Sequence, residues 1–150
     1  MLNHLVWKDN AARRYLGEHV ALVRRLHPGI QVWAHTGGEP RWGHFPHVLR
    51  DVGVDCVANH GQHFLPTKEA FHQQLDWLAP VPCVPHICVR DLPTNNYPVA
   101  VRTPEMIREY ESWLRDYPGK RIIGVMFFNE AHTTETNKQA VYDLVGKLHR

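Results

Sequence analysis

Arg121-Ile-Ile-Gly-Val-Met-Phe-Phe-Asn-Glu-Ala-His132 is the stretch on which the reading of the fold turns. Ile122 to Phe128 is short, apolar and rich in β-branched and aromatic residues. It is bounded by Gly119-Lys120 before it and polar residues after it, which predicts a buried strand rather than a helix. The run stops abruptly at Asn129-Glu130, so the strand delivers an amide and a carboxylate to a rim. Period-two alternation puts Gly124, Met126, Phe128 and Glu130 on one face and Ile123, Val125, Phe127 and Asn129 on the other. The two polar residues serve one site only if the strand twists or bulges at its end. The alternative is a solvated loop that begins at Glu130, with Asn129 in a turn.

Four further apolar runs precede this one. Leu2 to Trp7 reads as a first strand, with Asp9 or Asn10 capping a helix to about His27 whose stripe is Leu16, Val20, Val23 and Leu26. Ile30 to His35 alternates Ile30, Val32 and Ala34 against Gln31, Trp33 and His35, then enters Thr36-Gly37-Gly38-Glu39-Pro40. Arg41 to Val52 reads as a weak helix and Val54 to Ala58 as a strand that ends in Asn59-His60-Gly61-Gln62-His63. Thr67 caps a helix to Ala79. Val81 to Val89 is strand-like, although Pro82 and Pro85 suit a sheet edge, an irregular strand or a shorter strand that begins at Pro85.

Arg90 to Arg102 is the longest loop, a candidate lid or binding loop. Thr103-Pro104-Glu105 opens a helix with Ile107, Tyr110, Leu114 and Tyr117 inward. Thr136 with Gln139 forms a capping box for the last helix, whose stripe is Val141, Leu144, Val145 and Leu148.

Strand and helix thus alternate five times, which predicts an α/β protein with a parallel sheet and right-handed crossovers. Residues 1–150 form a single domain in this reading. Two architectures compete: a flavodoxin-like open, doubly wound sheet, or consecutive units of a (β/α)8 barrel whose missing strands come from another copy or a complementary chain.

Composition narrows the partners. The formal charge is +2, with Lys/Arg and Asp/Glu interspersed, so no nucleic-acid footprint is visible. No apolar run is long enough to span a bilayer and no leader is evident, so the expectation is a cytoplasmic protein without a membrane partner. Cys56, Cys83 and Cys88 all fall in apolar runs, as small buried thiols do in a reducing compartment. No nucleotide-binding glycine pattern occurs, and no cofactor is expected. Ser112, the only serine, sits in an amphipathic helix and not in a nucleophile elbow.

The run Pro28-Gly-Ile-Gln-Val-Trp-Ala-His35 and the run Gly124-Val-Met-Phe-Phe-Asn-Glu130 resemble strands of barrel glycoside hydrolases. In the clan whose catalytic glutamate follows an asparagine, that pair ends the fourth strand. The resemblance implies Asn129 as a substrate-binding amide and Glu130 as the acid/base. The same wording also fits the last strand of a barrel, where Glu130 has no such role.

Ligands of parallel α/β folds bind beyond the carboxyl ends of the strands. The residues standing there are Asp9, His35, Asn59, His60, His86, Arg90, Asp91, Asn129 and Glu130. Glycoside hydrolysis needs two carboxyl groups, and Asp91 or Asp9 is the available partner for Glu130 unless it lies outside the chain. His35, Asn59, His60, His86, Arg90 and Asn129 would hydrogen-bond a carbohydrate or another small polar ligand, and Trp42 would stack on a ring.

A metal-dependent hydrolase is a second reading, because His35, His60, His86, Asp91 and Glu130 are all metal-ligating types. No H-E-x-x-H pattern accompanies them. A third reading is a non-catalytic binding or structural domain that self-associates or completes a split barrel.

Overall fold

The computed structural model describes residues 2–36, 46–59, 65, 67–91, 101–119, 121–128 and 132–149. The order of elements is α1 (Leu2–Leu26), β1 (Trp33–Thr36), α2 (Pro46–Asp51), β2 (Cys56–Asn59), α3 (Lys68–Leu78), β3 (Cys83–Cys88), α4 (Pro104–Arg115), β4 (Met126–Phe128) and α5 (Glu135–Leu148). The class is α/β, and the four strands form one all-parallel sheet in the order β1-β2-β3-β4.

The predicted first strand, Leu2 to Trp7, is instead helix, so the described residues hold four strands and not five. Asp9 and Asn10 lie inside α1 and cap nothing. No Gly or Pro interrupts the chain before Gly17, and continuing the helix backward sets Asp9 and Arg13 on the turns above Leu16. There they meet α2, Asp9 against His47 at 2.7 Å and Arg13 against Asp51 at 2.5 Å. A strand would have forfeited both pairs. The helix read from Arg41 begins, among the described residues, at Pro46, where proline's fixed φ suits a first turn.

Each connection joins neighbouring strands, and crossovers of one hand then stack the helices on one face. One hydrophobic core confirms this. Val20 of α1, Leu49 of α2, Phe71, Leu75 and Leu78 of α3, Ile107 and Tyr110 of α4 and Leu144 of α5 pack with Val57, Cys83 and Ile87 of the sheet. The register puts those strand residues on a single face, together with Ala34 and Phe127. Trp33, His35, Cys56, Ala58, Val84, His86, Cys88, Met126 and Phe128 line the opposite face.

Pro85 lies in the interior of the sheet, between β2 and β4, and not at an edge. Cys83 and Val89 donate their N–H groups toward the β4 side, to Arg121 and Phe128. The missing donor of Pro85 therefore points the same way. There the pairing opens: Cys83 bridges Ile122, and the ladder resumes at His86 opposite Met126, with one extra residue on the β4 side. This bulge meets the proline where a ladder bond is absent anyway. It also lets Ile122 and Phe127, an odd number of residues apart, both face the helix core.

Helices α3 and α4 start as read. Thr67 Oγ1 accepts from Ala70 N, Thr103 Oγ1 accepts from Met106 N, and Pro104 occupies the first turn of α4. The capping box at Thr136 does not form. Helix α5 begins at Glu135 with Thr134 at the cap, and Gln139 donates to Asp143 four residues on.

Candidate functional site at the strand ends

His35 and His86 come together on the face opposite the helices. His35 is level with Ala58, which is level with Val84, and His86 stands two residues further along β3. Alanine contributes only a methyl group between them, so the two imidazoles approach to 5.1 Å between ring centroids, tilted by 47°. His35 is exposed and His86 is 4% exposed. Each imidazole can donate and accept hydrogen bonds, which suits the hydroxyl groups of a polar ligand.

Asn59 lies on the other face. Its register partners are Thr36 and Pro85, so it shares the side of Val57 and is buried at the helix-covered rim beside Thr36. The buried Thr36 Oγ1 has no hydrogen-bond partner among the described residues. Strand alternation sets Arg90 on the side of His86 and Cys88, since Val89 enters the helix core. Arg90 is 2% exposed, and its carbonyl accepts from Arg102 N.

Asp91 is engaged with the start of α5. Its carboxylate accepts from Thr134 N at 2.9 Å and from Thr134 Oγ1, while its own N–H donates to His132 O. An acceptor at a helix N-terminus is favourably placed against the helix dipole. Asp9, the other acidic candidate, sits in α1 and pairs with His47 of α2, on a helix rather than at a strand end. Trp42, His60, Asn129 and Glu130 lie outside the described residues. Among the described residues no three His, Cys, Asp or Glu side chains gather as a metal ion would require.

Asn137 was not singled out by the sequence reading, yet it builds the rim. Its buried Nδ2 donates to Val89 O at 2.7 Å and to Arg102 O at 2.9 Å, tying the end of β3 to the approach to α4. The legible signal is a polar residue on the buried stripe Asn137, Ala140 and Leu144 of α5.

The cysteines are free and buried. Burial pushes the Cys83 thiol up to about 12, and burial also raises that of Cys56. Neither is a nucleophile in the folded chain. A cavity of about 530 Å³ runs along the outer side of β4, lined by Leu114, Ile122, Val125, Phe127, Val145 and Leu148. It lies away from the imidazole pair and is mainly apolar, with Arg115 and His149 also in its lining. No described helix is long and apolar enough to cross a membrane. No family model matches the chain, and no curated protein or solved structure matches it either.

Proposed function

We propose that this chain supplies consecutive units of a (β/α)8-barrel-like fold whose rim acts on carbohydrate, with Glu130 as general acid/base and Asn129 as a substrate-binding amide. The observation that carries the reading is the sequential parallel order β1-β2-β3-β4 with the helices on one face and the His35–His86 pair on the other. Barrels add each strand beside the last and bind ligands at the carboxyl ends on the enclosed side. A flavodoxin-like sheet would place β1 between β2 and β3, reversing direction at a switch point. In the barrel reading further strands pair beyond β1 and β4, supplied by another copy or a complementary chain. His35, His86 and Arg90 orient the sugar, and Asn59 acts from the helix-covered rim.

A second reading, carbohydrate binding without hydrolysis, is favoured by one specific observation. Asp91 is committed to Thr134 and Asp9 to His47, whereas both hydrolytic stereochemistries need a second carboxyl group at the bond. The test is a panel of aryl glycosides with Glu130→Gln and His86→Ala. The hydrolytic reading expects wild-type cleavage, a loss of roughly 10²-fold or more in kcat for Glu130→Gln, and a smaller loss weighted to KM for His86→Ala. Cleavage undiminished in Glu130→Gln would remove Glu130 from the mechanism. Sugar binding without cleavage would select the second reading.

A further inference from the structure

The end of β3 holds the chain on either side of Asn129 and Glu130. From His86 opposite Met126 to Cys88 opposite Phe128 the two strands advance together, and Val89 N donates to Phe128 O at 2.7 Å as the next rung of that parallel ladder. An unbroken ladder would carry Asp91 N to the carbonyl of residue 130. It donates instead to His132 O at 3.2 Å. Strand β3 thus advances two residues where its neighbour advances four, a surplus of two. The Val89 carbonyl, acceptor of the intervening rung, is met by Asn137 Nδ2 of α5 at 2.7 Å. The Asp91 side chain then fastens the returning chain: Oδ1 accepts from Thr134 N at 2.9 Å and Oδ2 from Thr134 Oγ1. Thr134 is the N-cap of α5, yet its hydroxyl makes no cap bond to the helix, whereas Thr67 and Thr103 accept from Ala70 N and Met106 N. The hydroxyl that would cap α5 is given to Asp91.

We propose that Asp91 is the positioning residue of this rim: it closes a two-residue bulge that turns Asn129 and Glu130 to one ligand, and it is not the second carboxyl group of a hydrolase. The proposal rests on the roles given to Asn129 and Glu130 above. Strict alternation sends those two side chains to opposite faces, and only a twist or bulge at the strand end brings them to one site. The surplus of two residues between the rungs at Val89 and Asp91 supplies it. Because the backbone and carboxylate of Asp91 hold His132 and Thr134, the span from Phe128 to His132 is tethered to β3 at both ends. Both carboxylate oxygens already accept from Thr134, and they lie against the N-terminus of α5, where negative charge is favoured. A carboxylate so engaged orients the chain that carries Glu130.

Kinetics with aryl glycosides and NMR of the unliganded chain test it together. Asp91→Ala removes the tether and is expected to lower kcat by roughly 10–100-fold with KM little changed, the scale of an ångström-sized misplacement. Asp91→Asn keeps an acceptor for Thr134 N and gains an amide that can donate to Thr134 Oγ1, so its kcat should stay close to that of the wild type, as loss of a catalytic carboxylate would not allow. Thr134→Ala loses the hydroxyl bond alone and should fall between the two. Asp55→Ala is the control for stability. It removes a carboxylate that likewise accepts a backbone N–H, from Val32, at the opposite end of the sheet, and it should lower the urea midpoint without lowering kcat. In isotope-labelled protein without sugar, Asp91→Ala should shift the side-chain carboxyl resonance of Glu130, and Asp91→Asn should leave it in place. The proposal is overturned if Asp91→Asn is as impaired as Asp91→Ala, if Asp91→Ala loses no more kcat than Asp55→Ala, or if the Glu130 resonance ignores Asp91→Ala. A wild type that cleaves no glycoside would remove the hydrolytic role of Glu130, and the resonance comparison would still decide whether Asp91 positions it.

Discussion

Replacing Asn137 with leucine separates a hydrogen-bond clamp from ordinary packing. The side chain is fully buried and its Nδ2 satisfies the carbonyls of Val89 and Arg102 at 2.7 and 2.9 Å. Leucine has nearly the same shape, so no cavity opens, but both carbonyls lose their donor. Each orphaned buried acceptor costs about 1–3 kcal/mol. Asn137 Oδ1 itself has no partner among the described residues, and removing it offsets part of the loss. The net expectation is about 2–4 kcal/mol. With a urea slope of about 2 kcal/mol per M, the unfolding midpoint falls by about 1–2 M.

Asn137→Asp adds a second signature. A carboxyl buried at that position ionises less readily folded than unfolded, so its folded pKa is raised. The variant is then closest to wild type below the ordinary carboxylate range, and it loses stability as pH rises until the folded group ionises. Urea titrations of wild type and both variants at several pH values measure this. An Asn137→Leu midpoint within experimental error of wild type would refute the clamp, and a pH-independent Asn137→Asp deficit would refute the burial argument.

Three other expectations follow from the same contacts. Pro85→Ala restores an N–H where the β3–β4 ladder is already open, so it should cost no more than about 1 kcal/mol, mainly through unfolded-chain entropy; a larger loss in urea unfolding would deny the bulge its role. Asp55 accepts from Val32 N and pairs with Arg24, which together hold its carboxyl below the usual range. Its contribution is complete above the ordinary carboxylate pKa and disappears as pH falls through the lowered one, so NMR titration should show an early-ionising Asp55, and Asp55→Asn should flatten that part of the acid limb. Iodoacetamide at mildly alkaline pH should leave Cys56, Cys83 and Cys88 unmodified in the folded chain and alkylate all three in urea; labelling of native Cys83 would contradict its burial.

Much of the architecture was readable before any coordinates. Helices α3 and α4 announce themselves through Thr67 and Thr103-Pro104, because a capping hydroxyl and an N1 proline act within one turn. The parallel α/β class follows from the alternation of elements, and the inward stripe of α4 follows from local period, whereas Ile30, read on one side with Val32 and Ala34, is exposed. Leu2–Trp7 was misread because six residues with apolar character satisfy a strand pattern equally well. Only α2, folded 38 residues later in the chain and offering His47 and Asp51, makes the helix the better state.

Sequence alone put His35, Asn59 and His86 in the last residues of strands, since a strand's limits and its alternation are short-range matters of sterics and burial, but it set Asp9 at a strand end where the chain is helix. It could not determine which of those residues meet. Strand order, the register that brings His35 beside His86 over Ala58, and the turn of Asn59 to the far face are set by pairing between segments distant in the chain. The same holds for Asp91, free in any local reading and taken by Thr134 once α5 docks. Contacts of that range depend on how the whole sheet closes against its helices, and so the tertiary structure decided them.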